Sequence, residues 1–183
     1  SGLYALYKLR QLGLAARVFE AGTDIGGTWY WNRYPGARFD SESYSYQYSF
    51  SQELIDEWEW SEHFSGQPEI ERYLHFVANK FDLTRDIECN ARVATVTYDE
   101  ADKRWEIATH NGLRARARYV ICATGLLSAH QFPDYAGVTD FAGLTLHLQH
   151  EWVILANLFL LLTGFALLSR HFDQQLLDLQ HVQ

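Results

Sequence analysis

Methionine is absent from all 183 residues, and cysteine and proline are nearly so, with two and three copies. A chain without methionine has no initiator residue, so its start is expected upstream of Ser1. Two cysteines without CxxC spacing exclude a disulfide framework and a zinc ribbon; Cys89 and Cys122 read as buried, reduced thiols in a cytoplasmic compartment. Basic residues are also scarce: 15 Lys and Arg face 23 Asp and Glu, a formal net charge of -8. That balance argues against nucleic acid or an anionic membrane surface as the main partner. No apolar run follows basic residues at the N-terminus, so nothing there resembles a signal peptide.

Apolar residues, by contrast, make up 48% of the chain. This suffices for a sizeable core without disulfides or metals. From Leu3 to Leu12, apolar residues at Leu3, Leu6, Tyr7, Leu9 and Leu12 follow helical spacing, and Gly13 closes the helix. AARVFE at 15–20 is a short strand ending in an acid. The acidic stretch 51–64 reads as a solvated face. A second amphipathic helix is predicted at 68–81, opened by Pro68 and burying Ile70, Tyr73, Leu74, Val77, Ala78 and Phe81. ARVATVTYD, RWEIATHNG and LRARARYVICATG then predict a β-meander with turns near Asp102 and at Asn111-Gly112. Its last part, YVICATG, is apolar enough for a buried central parallel strand.

The stretch GGTWYWNRYPGARFDSES at 26–43 is the most unusual. Turns favour small polar residues, yet this one is dense in aromatics. Glycine pairs let backbone N–H groups approach a ligand closely. A flat ring system would suit the aromatic wall behind Gly26 and Gly27, with Arg38 and Asp40 as a charged pair beside it. The residues alone fit an aromatic core loop with a surface ion pair equally well. Upstream, Gly2 precedes a helix and Glu20 closes a strand about 18 residues later, close to the interval of about 20 in a dinucleotide-binding βαβ unit. Such a unit sets pyrophosphate on a helix N-terminus and ribose hydroxyls on the acid.

GGTWYWNRYPGARFDSESYSYQYSFS, QPEIERYLHFVANKFDL, the ATG of Ala123 to Gly125, and FAGLTLH at 141–147 together resemble the Baeyer–Villiger monooxygenases. The resemblance covers residues 1–147. It implies an α/β, Rossmann-like FAD/NAD(P)-binding domain, with a parallel sheet, helices and a β-meander, that lacks its first strand and first two fingerprint glycines. It implies FAD and NADPH as cofactors, a ketone and O2 as substrates, and an ester or lactone as product, formed through a flavin C4a-peroxide. By position, Gly2 would be the third fingerprint glycine and Glu20 the ribose acid. Gly26, Gly27, Thr28 and Trp29 would line the flavin and pyrophosphate. Arg38, Phe39 and Asp40 would sit where flavin and nicotinamide meet, and Tyr46, Val93, Ala123 and Gly125 would contact or flank FAD. The residue matching Asp40 partners a catalytic arginine that has no counterpart here.

The family signature continues F-x-G-x-x-x-H-x-x-x-W. Phe141, Gly143 and His147 fit it, but Glu151 stands at the tryptophan position. No second GxGxxG follows. His147 and His150, without a third ligand, predict no metal site. From Trp152 to Ser169 no residue is charged, and such a run is at the lower edge of membrane-spanning length. A frame shift or chimeric join near residue 148, a membrane segment, and a buried helix are the three readings of 148–183. The alternatives to a ketone oxygenase are an amine- or sulfide-oxygenating flavin monooxygenase, a non-catalytic flavin-binding module, and a membrane-tethered remnant.

Overall fold

The computed structural model describes residues 1–125 and Asp140. Helix α1 (Gly2–Gln11) carries Lys8 and Arg10 in its last turn, where the carbonyl end of the helix dipole favours cations. Gly13, at φ 71°, then turns the chain in a conformation that side chains resist. Of the predicted apolar stripe only Leu6 is fully buried, while Leu12 is 40% exposed.

The parallel sheet is short. Strand β1 (Val18–Phe19) pairs with β2 (Ile87–Glu88), Val18 opposite Ile87 and Phe19 opposite Glu88. The ladder extends past the strand ends: Glu20 N–H donates to Glu88 O at 2.8 Å, Ala91 N–H to Glu20 O at 2.8 Å, and Asn90 N–H to Gly22 O at 2.7 Å. Between the two strands lie α2 (Thr28–Trp31), α3 (Ser43–Tyr46), α4 (Gln52–Glu57) and the long α5 (Gln67–Lys80). The meander is as predicted: β3 (Val93–Asp99), β4 (Arg104–Thr109) and β5 (Arg114–Ala117) form an antiparallel sheet in that order.

Helix α5 serves two cores. Ala78 joins Leu6, Ile25 and Leu83 in one; Tyr73 and Val77 join Leu54 in the other, ringed by Tyr48, Phe50, Trp58, Trp60, Leu74 and Phe76. Ile70, Tyr73, Val77 and Ala78 of the predicted stripe are buried, whereas Leu74 and Phe81 are half-buried at its margins. Arg10 ties the ends of α1 and α5 together, donating through Nη1 to Asp82 O at 2.6 Å and Phe81 O at 3.3 Å. The acidic stretch divides as its composition demands: Glu53, Asp56, Glu57, Glu59 and Glu62 face solvent, while Leu54 is buried and Trp58 and Trp60 join the second core.

Two expectations fail. YVICATG is not a buried strand: residues 118–125 lie in no strand, and Tyr119 and Ile121 are 64% and 48% exposed. Among the described residues the parallel sheet has only β1 and β2, so these residues have no ladder partner. The thiols are not both buried, since Cys122 is exposed and Cys89 half-buried; neither forms a disulfide. The FAGLTLH and 148–183 readings lie outside the described residues. No helix among the described residues is long and apolar enough to cross a membrane, and the stretch 152–169 lies outside them.

Candidate functional site

The aromatic stretch folds into a turn and a wall. Gly26 and Gly27, at φ 136° and 56°, lead into α2, but their surroundings differ. A Cβ on Gly26 would lie 3.0 Å from Tyr30 Cβ and 3.1 Å from Tyr30 N, so this glycine allows the chain to pack on itself. A Cβ on Gly27 would meet nothing within 4 Å. The N–H groups of Gly27 and Thr28 have no hydrogen bond among the described residues.

Behind the turn stands the wall. Trp29 meets Phe39 edge-on at 5.3 Å, and Phe39 lies 4.2 Å from the Tyr46 ring. Trp29 Nε1 donates to the Tyr46 hydroxyl at 3.0 Å. Phe39 is 4% exposed and continues into the second core through Trp60, at 5.6 Å. Although much of Tyr46 is exposed, desolvation of its hydroxyl end raises the pKa above its ordinary value. The Trp29 bond pulls against that shift and the Asp40 charge adds to it.

Tyr30 connects the wall to the predicted ribose acid. Its hydroxyl bonds Thr23 Oγ1 at 2.7 Å, and its ring fills the space where Gly22 would carry a Cβ, 2.7 Å from Tyr30 Cε1. Gly22 N–H donates to Glu20 Oε1 at 2.7 Å, which fixes the carboxylate while Oε2 remains without a partner among the described residues. Ala91 continues the ladder beside Glu20 and brings in the start of β3, where Val93 is 39% exposed. Gly2 and Ala123 also come together: a Cβ on Gly2 would sit 3.7 Å from Ala123 Cβ. Gly125 follows in exposed chain at φ 78°.

Arg38 and Asp40 do not form the expected ion pair. Arg38 lies in a β-bridge to Gly66 and reaches across it, donating through Nη1 to Glu62 Oε2 and to Phe64 O, each at 3.0 Å. Phe39, between the two, points into the core, so both charged neighbours face outward, and Glu62 of the crossing segment takes the guanidinium. Asp40 is exposed and has no hydrogen bond or ion pair among the described residues.

Sequence reasoning missed the polar frame beneath this loop. Ser43 Oγ donates to Glu62 O at 2.8 Å and accepts from Ser65 N–H at 2.9 Å, with both serines at most 1% exposed. Ser61 holds Glu69 through its N–H at 2.9 Å and its hydroxyl at 2.7 Å. Burial pushes the Glu69 carboxyl up, but the bonds from Ser61 and Ser65 and the charge of Arg72 outweigh it, leaving the pKa below 4.5. A depressed carboxylate pKa contributes stability that is full above the unfolded-state value and lost as pH falls through the folded value. The wild type should therefore unfold at lower urea concentration as pH drops below about 4.3. Glu69→Gln should flatten that dependence; an unchanged pH slope would show that the frame does not stabilise the charged form.

Among the described residues no group of three or more His, Cys, Asp and Glu could hold a metal ion. A hollow of ≈ 270 Å³ lined by Tyr7, Arg10, Gln11, Phe81 and Leu83 contains none of the predicted site residues.

The strand–acid–glycine turn and the open N–H groups define the class: a dinucleotide-binding α/β domain. In agreement, the family of NAD(P)-binding Rossmann-like domains matches residues 1–56. The chain is 46% identical over 147 residues to acetone monooxygenase (methyl acetate-forming) of Gordonia sp. (strain TY-5), covering 80% of this chain and 28% of that protein. It is 43% identical over 147 residues to a Baeyer–Villiger monooxygenase of Pseudooceanicola batsensis, covering 80% of this chain and 27% of that one. The structure of cyclohexanone monooxygenase from Rhodococcus sp. Phi1 bound to NADP+ superposes with a TM-score of 0.72 at 43% identity, over 78% of this chain and 27% of that one. The chain thus corresponds to the N-terminal portion of the Baeyer–Villiger monooxygenases, and spans little more than a quarter of the length of these relatives.

Proposed function

We propose that residues 1–147 form part of the FAD site of a Baeyer–Villiger monooxygenase, which uses FAD, NADPH and O2 to insert oxygen beside a ketone carbonyl in the cytoplasm. Residues 148–183 are then a separate segment outside the family pattern. The observation that carries this reading is the turn at Gly27. It combines a backbone conformation suited to glycine, open space where a side chain would stand, two N–H donors without partners among the described residues, and an aromatic wall alongside.

The residues fit the group. Glu20 Oε2 is available to accept a bond from a ribose hydroxyl. The Gly27 and Thr28 N–H groups can donate to pyrophosphate or flavin oxygens, and Gly2 lets Ala123 pack closely against the start of α1. When bound, the flavin supplies the redox chemistry that activates O2. The protein's own part is to orient the ring against Trp29 and Tyr46 and to exclude water through Phe39. Asp40, charged and without a partner among the described residues, can hold a cation over the reacting face, where developing negative charge needs one.

Adding the full chain to FAD tests the proposal. Quenched flavin fluorescence at one FAD per chain, with the cofactor retained on gel filtration, is the expected result. A flavin signal that stays free at micromolar protein would overturn the assignment for this chain.

A further inference from the structure

The carbonyls of the aromatic turn are held by side chains from outside it. Asn32 Nδ2 donates to Thr28 O at 2.8 Å and Arg33 Nε to Tyr30 O at 2.9 Å. The carbonyl between them, Trp29 O, accepts from Gln67 Nε2. Gln67 also donates to Glu71 Oε2 at 2.9 Å, and Glu71 Oε1 takes Arg33 Nη2 at 2.5 Å. Gln67, Glu71, Arg33 and the turn therefore form a closed ring of bonds. Through its backbone N–H, Gln67 bonds Ala37 O at 2.8 Å, next to Arg38, Phe39 and Asp40.

One residue, 6% exposed, thus bonds both segments that carry the candidate flavin wall. At the first turn of a helix, a buried amide side chain has no local need to turn away from solvent. Here it turns inward because α2 is too short to satisfy its own carbonyls: of the four, only Thr28 O accepts a backbone N–H four residues on, from Asn32 at 3.0 Å, among the described residues. An unmade bond at Trp29 O would leave a carbonyl under-satisfied and free the turn to rotate.

We infer that Gln67 is a positioning residue, locking the Gly27–Trp31 turn against the Ala37–Asp40 segment so that Trp29 and the open N–H groups keep one orientation toward the cofactor. The inference rests on the FAD reading for its consequence, but its geometry stands apart from it. Gln67→Met keeps length and removes the donor.

Hydrogen–deuterium exchange on the full chain reads the turn without any cofactor. In Gln67→Met, the hydrogen-bonded amides 29–32 should exchange about tenfold faster, while α5 and the meander keep their wild-type rates. Unchanged exchange at 29–32, or acceleration spread evenly over the chain, would overturn the inference, since the first denies the lock and the second describes general loosening. A FAD titration of the same two proteins then separates the claims. If the wild type binds FAD, Gln67→Met should bind it about tenfold more weakly, and equal affinities would refute the positioning role. If the wild type binds none, the FAD reading fails, and the exchange data alone decide whether Gln67 locks the turn.

Discussion

Gly27→Ala is expected to lower FAD affinity at least 100-fold, by about 2.7 kcal/mol or more, while leaving a folded protein. Gly27 has φ 56° and ψ -120°, a combination that a residue with a Cβ adopts only under strain of about 1–3 kcal/mol. Its new methyl would project into the open side, where nothing now lies within 4 Å. Backbone strain and blocked approach are separable through Gly36. That glycine also has positive φ, 82°, with nothing near its Cβ position, but it lies in a different turn, Tyr34–Ala37, where Pro35 and Gly36 are exposed. Gly36→Ala should lose comparable stability in thermal melts and keep wild-type FAD affinity. Equal FAD losses in the two variants would mean that strain alone explains both, and the Gly27 cradle would be refuted.

Tyr73→Ala should destabilise the protein by about 3–5 kcal/mol, the range for removing a large buried aromatic. Tyr73 is 2% exposed, and its ring packs at 4.9 Å from Trp60 and 5.2 Å from Trp58, with Tyr48 and Phe76 farther out. Its hydroxyl accepts the Tyr48 N–H at 2.8 Å. Burial pushes the Tyr73 pKa to about 12, so the phenol stays neutral across the physiological range. Tyr73→Phe keeps the ring contacts and strands one donor, which should cost about 1–3 kcal/mol. Urea unfolding followed by tryptophan emission, to which Trp58 and Trp60 contribute, measures both. A loss below about 1 kcal/mol for the alanine variant would show that the rings repack freely and that the second core is not close-packed.

The two predictions meet in the aromatic wall. Trp60 touches Tyr73 on one side and Phe39 on the other, so the core that Tyr73 fills also supports the surface on which a flavin would lie. Residues far from the open side therefore reach the site by packing, and Gln67 reaches it by hydrogen bonding. Functional loops are held in this way by rigid elements beneath them.

What the sequence by itself determined was everything that depends on local periodicity and backbone chemistry. Pro68 and the 3.6-residue spacing of Ile70, Tyr73 and Val77 specify α5 and its buried stripe. β-Branched and aromatic content, with turns near Asp102 and at Asn111-Gly112, specifies the meander. The long aromatic motif carried the family, whereas the glycine before a helix with an acid at a strand end fits many α/β proteins by itself.

What only the tertiary structure decided was which chemically similar residues do which job. Gly26 and Gly27 are indistinguishable in sequence, but Tyr30 packs over one and leaves the other open. Arg38 stands two residues from Asp40, yet the bridge to Gly66 brings Glu62 within 3.0 Å. YVICATG has the composition of a central strand, but a strand requires neighbours, and no sequence pattern supplies them. Gln67 looks like a polar helix start until Trp29, thirty-eight positions earlier, is folded against it. Periodicity acts over a few residues and is written in the chain; partner choice acts between segments, and exists only once packing has brought them together.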